Sequence, residues 1–379
     1  MDIHAPLPLL GGISPDRFMR QYWQRKPLLV RNAVQDLCGA PDRSRLIRWA
    51  ADEQVEARLV RRTDRGWQLR QGPFGPRALP PRSHPQWTLL VQGVDLQDDA
   101  AHALLQQFRF VPDARLDDLM VSYATDGGGV GPHFDSYDVF LLQTHGQRRW
   151  RIGRQRDLTL QPDVPLKILA DFQPEAEYVL SPGDMLYLPP RYAHDGVAIG
   201  ECITCSIGFR APKTAEIAQD MLQRLAEDAL EGQDALYADR SQPATATPGA
   251  VPAAMRDFAR RAVEAALQDR DALPRALGEY LTEPKPQVWF ETSDEEAGDA
   301  ILAAGVRLDR RTRMLYDDRH VFINGESYRA AGRDATLMRR LADDRKLAPN
   351  HVRRASADAQ DLIVSWCEAG WVHAGDRIA

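Results

Sequence analysis

The order of apolar and polar residues divides the chain into regions with different predicted secondary structure. From about residue 116 to residue 210, apolar residues come in short runs separated by glycine and proline turns: "LMVSYAT", "DVFLLQTHGQRRWRIG", "EYVLSPGDMLYLPP" and "CITCSIGFR". Many short strands with this punctuation are typical of a β-sandwich or a barrel. Before this region the pattern is mixed, with strand-like "ARLVRR" and "WTLLVQG" among short helices. Ser14 and Pro15 suit the N-cap and first turn of a helix, predicted over residues 15–24 and followed by a strand in "KPLLVRNA".

After "FRAPKT" the pattern becomes helical. The segments "TAEIAQDMLQRLAEDAL" and "MRDFARRAVEAALQ" repeat apolar residues every three and four positions, which is the period of an amphipathic helix. The segment between them, "QPATATPGAVPAA", contains few large apolar residues and is predicted to be an exposed loop or linker. From about residue 287, strand-like "RMLYDDRHVFING" is followed by helical "DATLMRRLADD" and "ADAQDLIVSWCEAGWV". This alternation predicts a small α+β domain.

Composition narrows the class of protein without identifying it. The 379 residues are enough for two or three domains, and 44% hydrophobic and 27% charged residues are ordinary for a soluble globular protein. A net charge of -6 gives no overall attraction to nucleic acid. No apolar run approaches the roughly 20 residues of a membrane span, and "MDIHAPLPLLGG" does not resemble a secretory signal. We therefore expect a cytoplasmic protein that does not associate with a membrane.

Four cysteines in a chain of this length do not indicate a disulfide framework. Cys202 and Cys205 form a C-x-x-C motif in "GECITCSIGF", which could indicate redox chemistry or a zinc site. The segment alternates like a strand, so residues three apart face opposite sides. No second pair completes a zinc site. Ordinary strand cysteines are the favoured interpretation.

The segment "GPHFDSYDVFLLQTHGQRRW" carries the first two candidate metal ligands. His133 and Asp135 are two residues apart, so in a strand both side chains point to one face. Alone, an H-x-D pair is usually a surface pair or a hydrogen-bonded cluster. His194, just beyond "PGDMLYLPPRYA", is the third candidate, because a jelly-roll chain can return there beside the first pair. Two histidines and one carboxylate form the facial triad of non-haem Fe(II) oxygenases. His145 is the competing ligand, but "QTHGQ" is predicted to be a turn that points away.

Iron of this kind generally needs an organic electron donor, and a dicarboxylate requires a cation at its far end. In "GQRRWRIG", Arg148, Trp150 and Ile152 share one strand face, whereas Arg149 and Arg151 share the other, which is predicted to be solvated. A guanidinium beside an apolar lining is costly unless a carboxylate pairs with it. Arginine also binds carboxylates in a bidentate manner. Arg148 is therefore the candidate for binding the cosubstrate.

The glycine run "DGGGVG" precedes His133 and is interpreted as a flexible lip over the site, since no helix follows it to make a phosphate site. Asp126 lies on this loop and has two interpretations that stay open. Its carboxylate could select a cationic substrate side chain entering toward the metal. Alternatively, it could cap the turn by accepting hydrogen bonds from backbone N–H groups.

Four segments together resemble the JmjC-type ribosomal oxygenases of the cupin superfamily: "FMRQYWQRKPLLVRNA", "GGGVGPHFDSYDVFLLQTHGQRRWRIG", "PGDMLYLPPRYAHDG" and "SIGFRAP". The resemblance implies a mainly β fold with helices, in which a JmjC/cupin catalytic domain occupies residues 1–210 and its double-stranded β-helix core spans about 95–210. A helical dimerisation region over residues 211–285 and a winged-helix-like domain over residues 286–379 would follow. The chain is then expected to form a homodimer.

The resemblance also implies an activity. His133, Asp135 and His194 would bind Fe(II), and Arg148 would bind the distal carboxylate of 2-oxoglutarate, with Ser122 and Thr204 assigned to the same cosubstrate. With O₂, oxidative decarboxylation would yield succinate and CO₂, and an arginine of a large-subunit ribosomal protein would be hydroxylated. Two alternatives remain: the same chemistry on a histidine or lysine of another protein, and a non-catalytic cupin binding module. For the C-terminal domain, packing or dimerisation is favoured over nucleic-acid binding, because "DDRK" and "DRRTRM" mix charges of both signs.

Overall fold

The computed structural model describes residues 1–75, 77–230, 236–240, 242–292 and 304–375. It divides into two compact units, Met1–Ala211 and Pro212–Ala379, which are described separately. In the described residues, no helix combines the length and the apolar character needed to cross a bilayer.

The first unit contains two short 3-10 helices, three α-helices and nine strands in the part of it that is described. The 3-10 helices are Pro8–Leu10 and Val94–Leu96. The α-helices are α1 Pro15–Gln21, α2 Arg43–Ala50 and α3 Asp99–Gln106. The strands are β1 Leu28–Val30, β2 Ala57–Thr63, β3 Gly66–Gln71, β4 Trp87–Val91, β5 Leu116–Ala124, β6 Val139–Gly153, β7 Ala176–Leu180, β8 Met185–Leu188 and β9 Ala193–Phe209.

The first helix begins where the sequence predicts and ends earlier. The Ser14 hydroxyl accepts a hydrogen bond from the backbone N–H of Arg17, at 3.3 Å, as an N-cap does. The helix ends at Gln21 instead of Gln24, because Gln24 adopts a φ of 55° and faces the sheet. There its backbone N–H donates to the Tyr187 hydroxyl at 2.8 Å, and its side-chain amide donates to Asp138 at 3.0 Å. These tertiary contacts are not visible in the local pattern.

In the described part of this unit, the strands lie in the antiparallel order β1-β8-β6-β9-β5-β4-β2-β3, and β7 also pairs with β6. The long strands β6 and β9 pair along their whole length. The first part of β6 also pairs with β8, and its last part pairs with β7. The predicted turn at "QTHGQ" is wrong. The strand β6 continues through His145, which is exposed, and shifts register around it.

This irregularity changes which residues of β6 face the inside of the sheet. Before it, Val139 and Leu141 belong to the inner apolar cluster; after it, Trp150 and Ile152 do. A one-residue irregularity switches the face of every later side chain in a strand. Gly146 permits it with a φ of 60°, and a Cβ there would lie 2.0 Å from the carbonyl oxygen of Glu201. The last part of β6 consequently presents its even-numbered residues to the site.

The other face of the sheet packs against the N-terminal helices through aromatic residues. Phe18 of α1 lies 5.4 Å from Phe140 and 5.0 Å from Tyr187 between ring centroids, and Trp23 lies 4.9 Å from Phe209. The two C-x-x-C cysteines are free and buried in different apolar clusters. Burial raises the pKa of the Cys205 thiol to about 12, so it stays protonated and apolar in character.

The second unit contains, in its described residues, helices α4 Thr214–Leu230, α5 Ala253–Ala266, α6 Ala272–Thr282, α7 Gly332–Asp344, α8 Pro349–Val352 and α9 Ala357–Glu368. Its strands are β10 Val306–Leu308, β11 Met314–Tyr316, β12 His320–Ile323, β13 Glu326–Arg329, β14 Lys346–Leu347 and β15 Val372–Ala374. They form two small antiparallel sheets, β14-β10-β15 and β11-β12-β13.

Helix α6 is absent from the sequence prediction, where Pro274 and Gly278 obscure the helical period. It packs on the sheet β11-β12-β13. A Cβ at Gly278 would lie 2.4 Å from the ring of Phe322, and the Thr282 hydroxyl accepts the N–H of Gly325 at 3.1 Å. The helix thus packs with the α+β domain, although it lies within the predicted helical region 211–285. Residues 293–303 and 376–379, which the predicted domain 286–379 includes, lie outside the described residues.

Candidate functional site

The three predicted metal ligands meet at the start of β9. The backbone of His133 pairs with that of His194 through two hydrogen bonds, of 2.9 and 2.8 Å, and the N–H of Arg191 donates to the carbonyl of Asp135 at 2.7 Å. This pairing brings the loop after Gly131 alongside β9. The ligand atoms of His133, Asp135 and His194 all lie within 4.8 Å of one another. The distance from Nε2 of His194 to Oδ2 of Asp135 is 3.6 Å.

Backbone carbonyls set which nitrogen of each imidazole faces the centre. Nδ1 of His133 lies 2.9 Å from the carbonyl oxygen of Gly131, and Nδ1 of His194 lies 2.9 Å from that of Tyr192. A neutral imidazole that donates from Nδ1 presents the lone pair of Nε2 to the centre, as a metal ligand does. Burial and the neighbouring His133 lower the pKa of His194 to about 4, so this ring is neutral at physiological pH.

The donor set fits a divalent transition metal with open coordination positions. Two imidazole nitrogens and one carboxylate oxygen on one side of a metal are the ligands of non-haem Fe(II) centres. The side chain of His194 is 3% exposed, whereas that of Asp135 is 22% exposed. The protein therefore closes the His194 side and leaves the Asp135 side accessible.

Arg148 is buried with its binding edge unused. The residue is 5% exposed, and its Nη1 donates to the hydroxyl of Ser122 at 3.2 Å. Its Nε and Nη2 are buried and have no hydrogen-bond partner within the described part of the chain. These two N–H groups form the edge of the guanidinium that binds a carboxylate in a bidentate manner. A buried cation without an anion is costly, so this arrangement fits the distal carboxylate of a dicarboxylate.

Ser122 and Thr204 lie opposite each other on β5 and β9. The Ser122 hydroxyl accepts from Arg148 and donates to the carbonyl of Thr204 at 3.4 Å. The Thr204 hydroxyl donates to Oε1 of Gln143 at 2.9 Å, and the Gln143 amide in turn donates to the carbonyl of His145 at 2.7 Å. Ser122 thus orients the guanidinium, and the proton of Thr204 is held by Gln143. Gln143 has no sequence signal, because a glutamine in a strand resembles any polar residue.

The glycine run lies along β9. The N–H of Gly127 donates to the carbonyl of Ala198 at 3.0 Å, and a Cβ at Gly129 would lie 2.5 Å from the carbonyl oxygen of Gly196. Only glycine allows this close approach. Asp126 is exposed at the start of the run, and its Oδ1 accepts the N–H of Gly200 at 2.8 Å. One oxygen of its carboxylate therefore has a backbone partner, while substrate selection stays a prediction.

Two aromatic residues near the site were not proposed from the sequence as site residues. The Trp150 ring lies 5.8 Å from that of His194. Tyr137 is 40% exposed and lies two residues after Asp135. Partial burial, then the charge of Asp135, raises the pKa of Tyr137, which therefore remains a neutral phenol at the accessible side. Local spacing gives no signal for either residue as part of a site, because it does not distinguish a pocket wall from a core position.

Comparison with known proteins gives the family. Residues 103–217 match the family model for a JmjC domain, and residues 265–373 match that for a ROXA-like winged helix. The chain is 31% identical over 330 residues to the ribosomal protein uL16 3-hydroxylase of Escherichia coli, an alignment that covers 85% of this chain and 87% of that protein. The chain belongs to the JmjC-type ribosomal oxygenases.

Other members of the ribosomal oxygenases agree with this assignment. A probable ribosomal oxygenase of Haemophilus influenzae is 38% identical over 209 residues, 54% of this chain and 52% of that protein. The X-ray structure of E. coli ycfD superposes with a TM-score of 0.82 and 28% identity over 94% of this chain and 97% of that one. The structure of E. coli YcfD, a ribosomal oxygenase, with cobalt and 2-oxoglutarate has a TM-score of 0.78, at 28% identity over 94% and 97% of the two chains. The predicted JmjC/cupin and winged-helix folds are confirmed.

Proposed function

We propose that this protein is an Fe(II)- and 2-oxoglutarate-dependent oxygenase that hydroxylates an arginine of a large-subunit ribosomal protein. The observation that carries the proposal is the presence, in one unit, of a candidate metal site and a buried guanidinium that can bind a carboxylate. The ligand atoms of His133, Asp135 and His194 lie within 4.8 Å of one another, and the buried Arg148 presents an edge that is unpaired among the described residues. The name of the E. coli relative, a uL16 3-hydroxylase, supports the substrate class.

Each residue has a distinct role in this chemistry. His133, Asp135 and His194 would hold the metal, and Arg148, oriented by Ser122, would hold the distal carboxylate of 2-oxoglutarate. When bound, iron and 2-oxoglutarate use O₂ so that one oxygen atom enters succinate, with release of CO₂, and the other enters a C–H bond of the substrate. The chain itself supplies orientation and excludes water from the His194 side. A ribosomal-protein substrate would be met in the cytoplasm, where we propose that the protein acts.

Mass spectrometry of ribosomal proteins from cells with and without this protein tests the proposal. We expect one large-subunit protein to lose the mass of one oxygen atom on an arginine peptide when the gene is deleted. A loss of one oxygen atom on a histidine peptide, or methyl groups retained on a lysine peptide, would identify the alternative substrates. If purified protein with Fe(II) does not convert 2-oxoglutarate to succinate even with ribosomal proteins present, the non-catalytic cupin module would be correct instead. The unpaired edge of Arg148 argues against that module.

The proposed selectivity for a cationic side chain can be tested at Asp126. In Asp126→Asn the amide oxygen can still accept the N–H of Gly200, so the loop is preserved while the charge is lost. If the carboxylate pairs with the substrate guanidinium, kcat/KM for an arginine peptide should fall roughly tenfold or more, as expected for a hydrogen bond to a charged group. Unchanged kcat/KM would show that Asp126 is only a turn residue.

We also propose a homodimer built on the helical region from about Thr214 to Gln268. Within the described residues, Leu222 of α4 and Val263 of α5 are 63% and 61% exposed, as apolar side chains in an interface would be in a separate protomer. Closed twofold pairing is the commonest way to cover such surfaces. Light scattering at micromolar concentration should give twice the mass of one chain, and Leu222→Asp with Val263→Asp should reduce it. A monomeric wild-type protein would contradict the proposal. For the C-terminal domain, packing remains favoured over nucleic-acid binding.

A further inference from the structure

Trp150 lies close to both ends of the proposed cosubstrate site. On β6 it lies two residues after Arg148 and two before Ile152, which is paired with His194 on β9. The Arg148 guanidinium carbon lies 5.7 Å from the Trp150 ring centroid, and the His194 ring centroid lies 5.8 Å from it. The indole ring therefore lies close to both Arg148 and the metal ligand His194.

The indole ring cannot easily turn away from this position. Gly196 faces it on β9, where a Cβ would lie 2.6 Å from Cη2 and Cζ3 of the six-membered ring. The six-membered ring thus packs against the Gly196 backbone. Leu141, Leu180 and Leu188 belong to the same apolar cluster. The orientation of the N–H is therefore fixed by packing and not by a hydrogen bond.

The indole N–H of Trp150 is a buried donor with no acceptor. The residue is 5% exposed, and its Nε1 has no hydrogen-bond partner within the described residues. Two other buried tryptophans do have acceptors: Nε1 of Trp87 donates to the carbonyl of Pro81, and Nε1 of Trp366 donates to the hydroxyl of Tyr328. Buried N–H groups are normally paired, so an unpaired one on a ring whose centroid lies 5.7 Å from a guanidinium with two unpaired nitrogens indicates a shared acceptor.

We propose that the indole N–H of Trp150 donates a hydrogen bond to the carboxylate of 2-oxoglutarate that Arg148 holds. This rests on the proposed function of the site. A carboxylate offers about four lone-pair positions, and the Nε and Nη2 groups of Arg148 occupy two. The remaining positions need donors inside a closed pocket. The Thr204 proton is held by Gln143 and the Ser122 proton faces the Thr204 carbonyl. Trp150 then supplies the third donor, without a charge of its own.

The direct test is the nuclear magnetic resonance signal of the Trp150 indole N–H in full-length protein loaded with Zn(II), a diamagnetic substitute for Fe(II). The signal is assigned by its absence in Trp150→Phe. Saturating 2-oxoglutarate should shift it downfield and slow its exchange with water, while the indole signals of Trp87 and Trp366 stay in place. Saturating 2-oxobutanoate chelates the metal in the same way but has no distal carboxylate, so it should leave the signal unchanged. A shift with both ligands, or with neither, would overturn the proposal.

Binding calorimetry on the same zinc-loaded protein gives the second readout. Trp150→Phe keeps an aromatic ring beside Gly196 and removes the donor, so its affinity for 2-oxoglutarate should fall about tenfold, with the affinity for 2-oxobutanoate unaffected. Equal 2-oxoglutarate affinities for wild type and variant would refute the role of the indole. If the wild-type protein itself does not bind 2-oxoglutarate, the proposed function fails; if it binds without the indole shift, only the role of Trp150 fails.

Discussion

Replacing His133 or Asp135 with alanine is expected to abolish 2-oxoglutarate turnover while leaving the fold intact. Each variant keeps only two of the three side chains whose ligand atoms lie within 4.8 Å of one another. Losing even a hydrogen-bond partner of a metal ligand typically costs 10–100-fold in metal affinity or activity, so losing a ligand should cost at least about a hundredfold. The backbone pairing of His133 with His194 does not involve the removed side chains and should hold the loop in place. Succinate formation at saturating iron and 2-oxoglutarate measures the effect.

A matched control lies on β6. His145 is exposed and sits at the register shift, away from the inner face, so His145→Ala should retain wild-type turnover. Metal affinity, measured by calorimetry with Mn(II), should fall in the His133 and Asp135 variants and stay unchanged in the His145 variant. Near-normal turnover in either ligand variant, with iron supplied, would refute the metal assignment. A large effect of His145→Ala would instead favour His145, the competing candidate, as the third metal ligand.

The chemistry of the site was easier to predict from the sequence than its exact geometry. The H-x-D pair and the histidine after "PGDMLYLPPRYA" predicted a facial triad, because a period of two places His133 and Asp135 on one face. The same period placed Arg148 on the face of Trp150 and Ile152. The sequence could not show that this face is also the one occupied by Leu141, because the register shift at His145 depends on pairing with β9.

Other features depended on contacts between residues far apart in sequence. The hydrogen bond from Thr204 to Gln143 joins residues on two strands, and neither residue type identifies it. The early end of α1 follows from the contacts of Gln24 with Tyr187 and Asp138. Helix α6 lacks a clear helical period in sequence but packs through Gly278 on Phe322, so tertiary packing determines it. Local patterns therefore predicted most of the elements, and long-range pairing determined the rest.

Arg148→Ala is expected to raise the KM for 2-oxoglutarate far more than it changes iron binding. The wild-type Nε and Nη2 groups are buried without a partner among the described residues, so their binding edge is available to a carboxylate. A hydrogen bond to a charged group contributes roughly 1.5–3 kcal/mol, which corresponds to about tenfold to a hundredfold in affinity. Arg148→Lys keeps the charge but loses the planar guanidinium, so its KM for 2-oxoglutarate should lie between those of the wild type and Arg148→Ala. Initial rates at varied 2-oxoglutarate, with iron saturating, give these values.

Arg149 provides the control, because it is exposed on the opposite face of the same strand. Arg149→Ala should leave KM unchanged; if it raises KM while Arg148→Ala does not, the cosubstrate cation is Arg149.

A second measurement separates binding from folding. Without 2-oxoglutarate, the described residues provide the buried guanidinium with the Ser122 hydroxyl and the Trp150 ring, and neither carries a negative charge. A buried charge without a counter-ion costs free energy in the folded state. The free energy of unfolding of the ligand-free Arg148→Ala variant should therefore equal or exceed that of the wild type, whereas added 2-oxoglutarate should stabilise only the wild type.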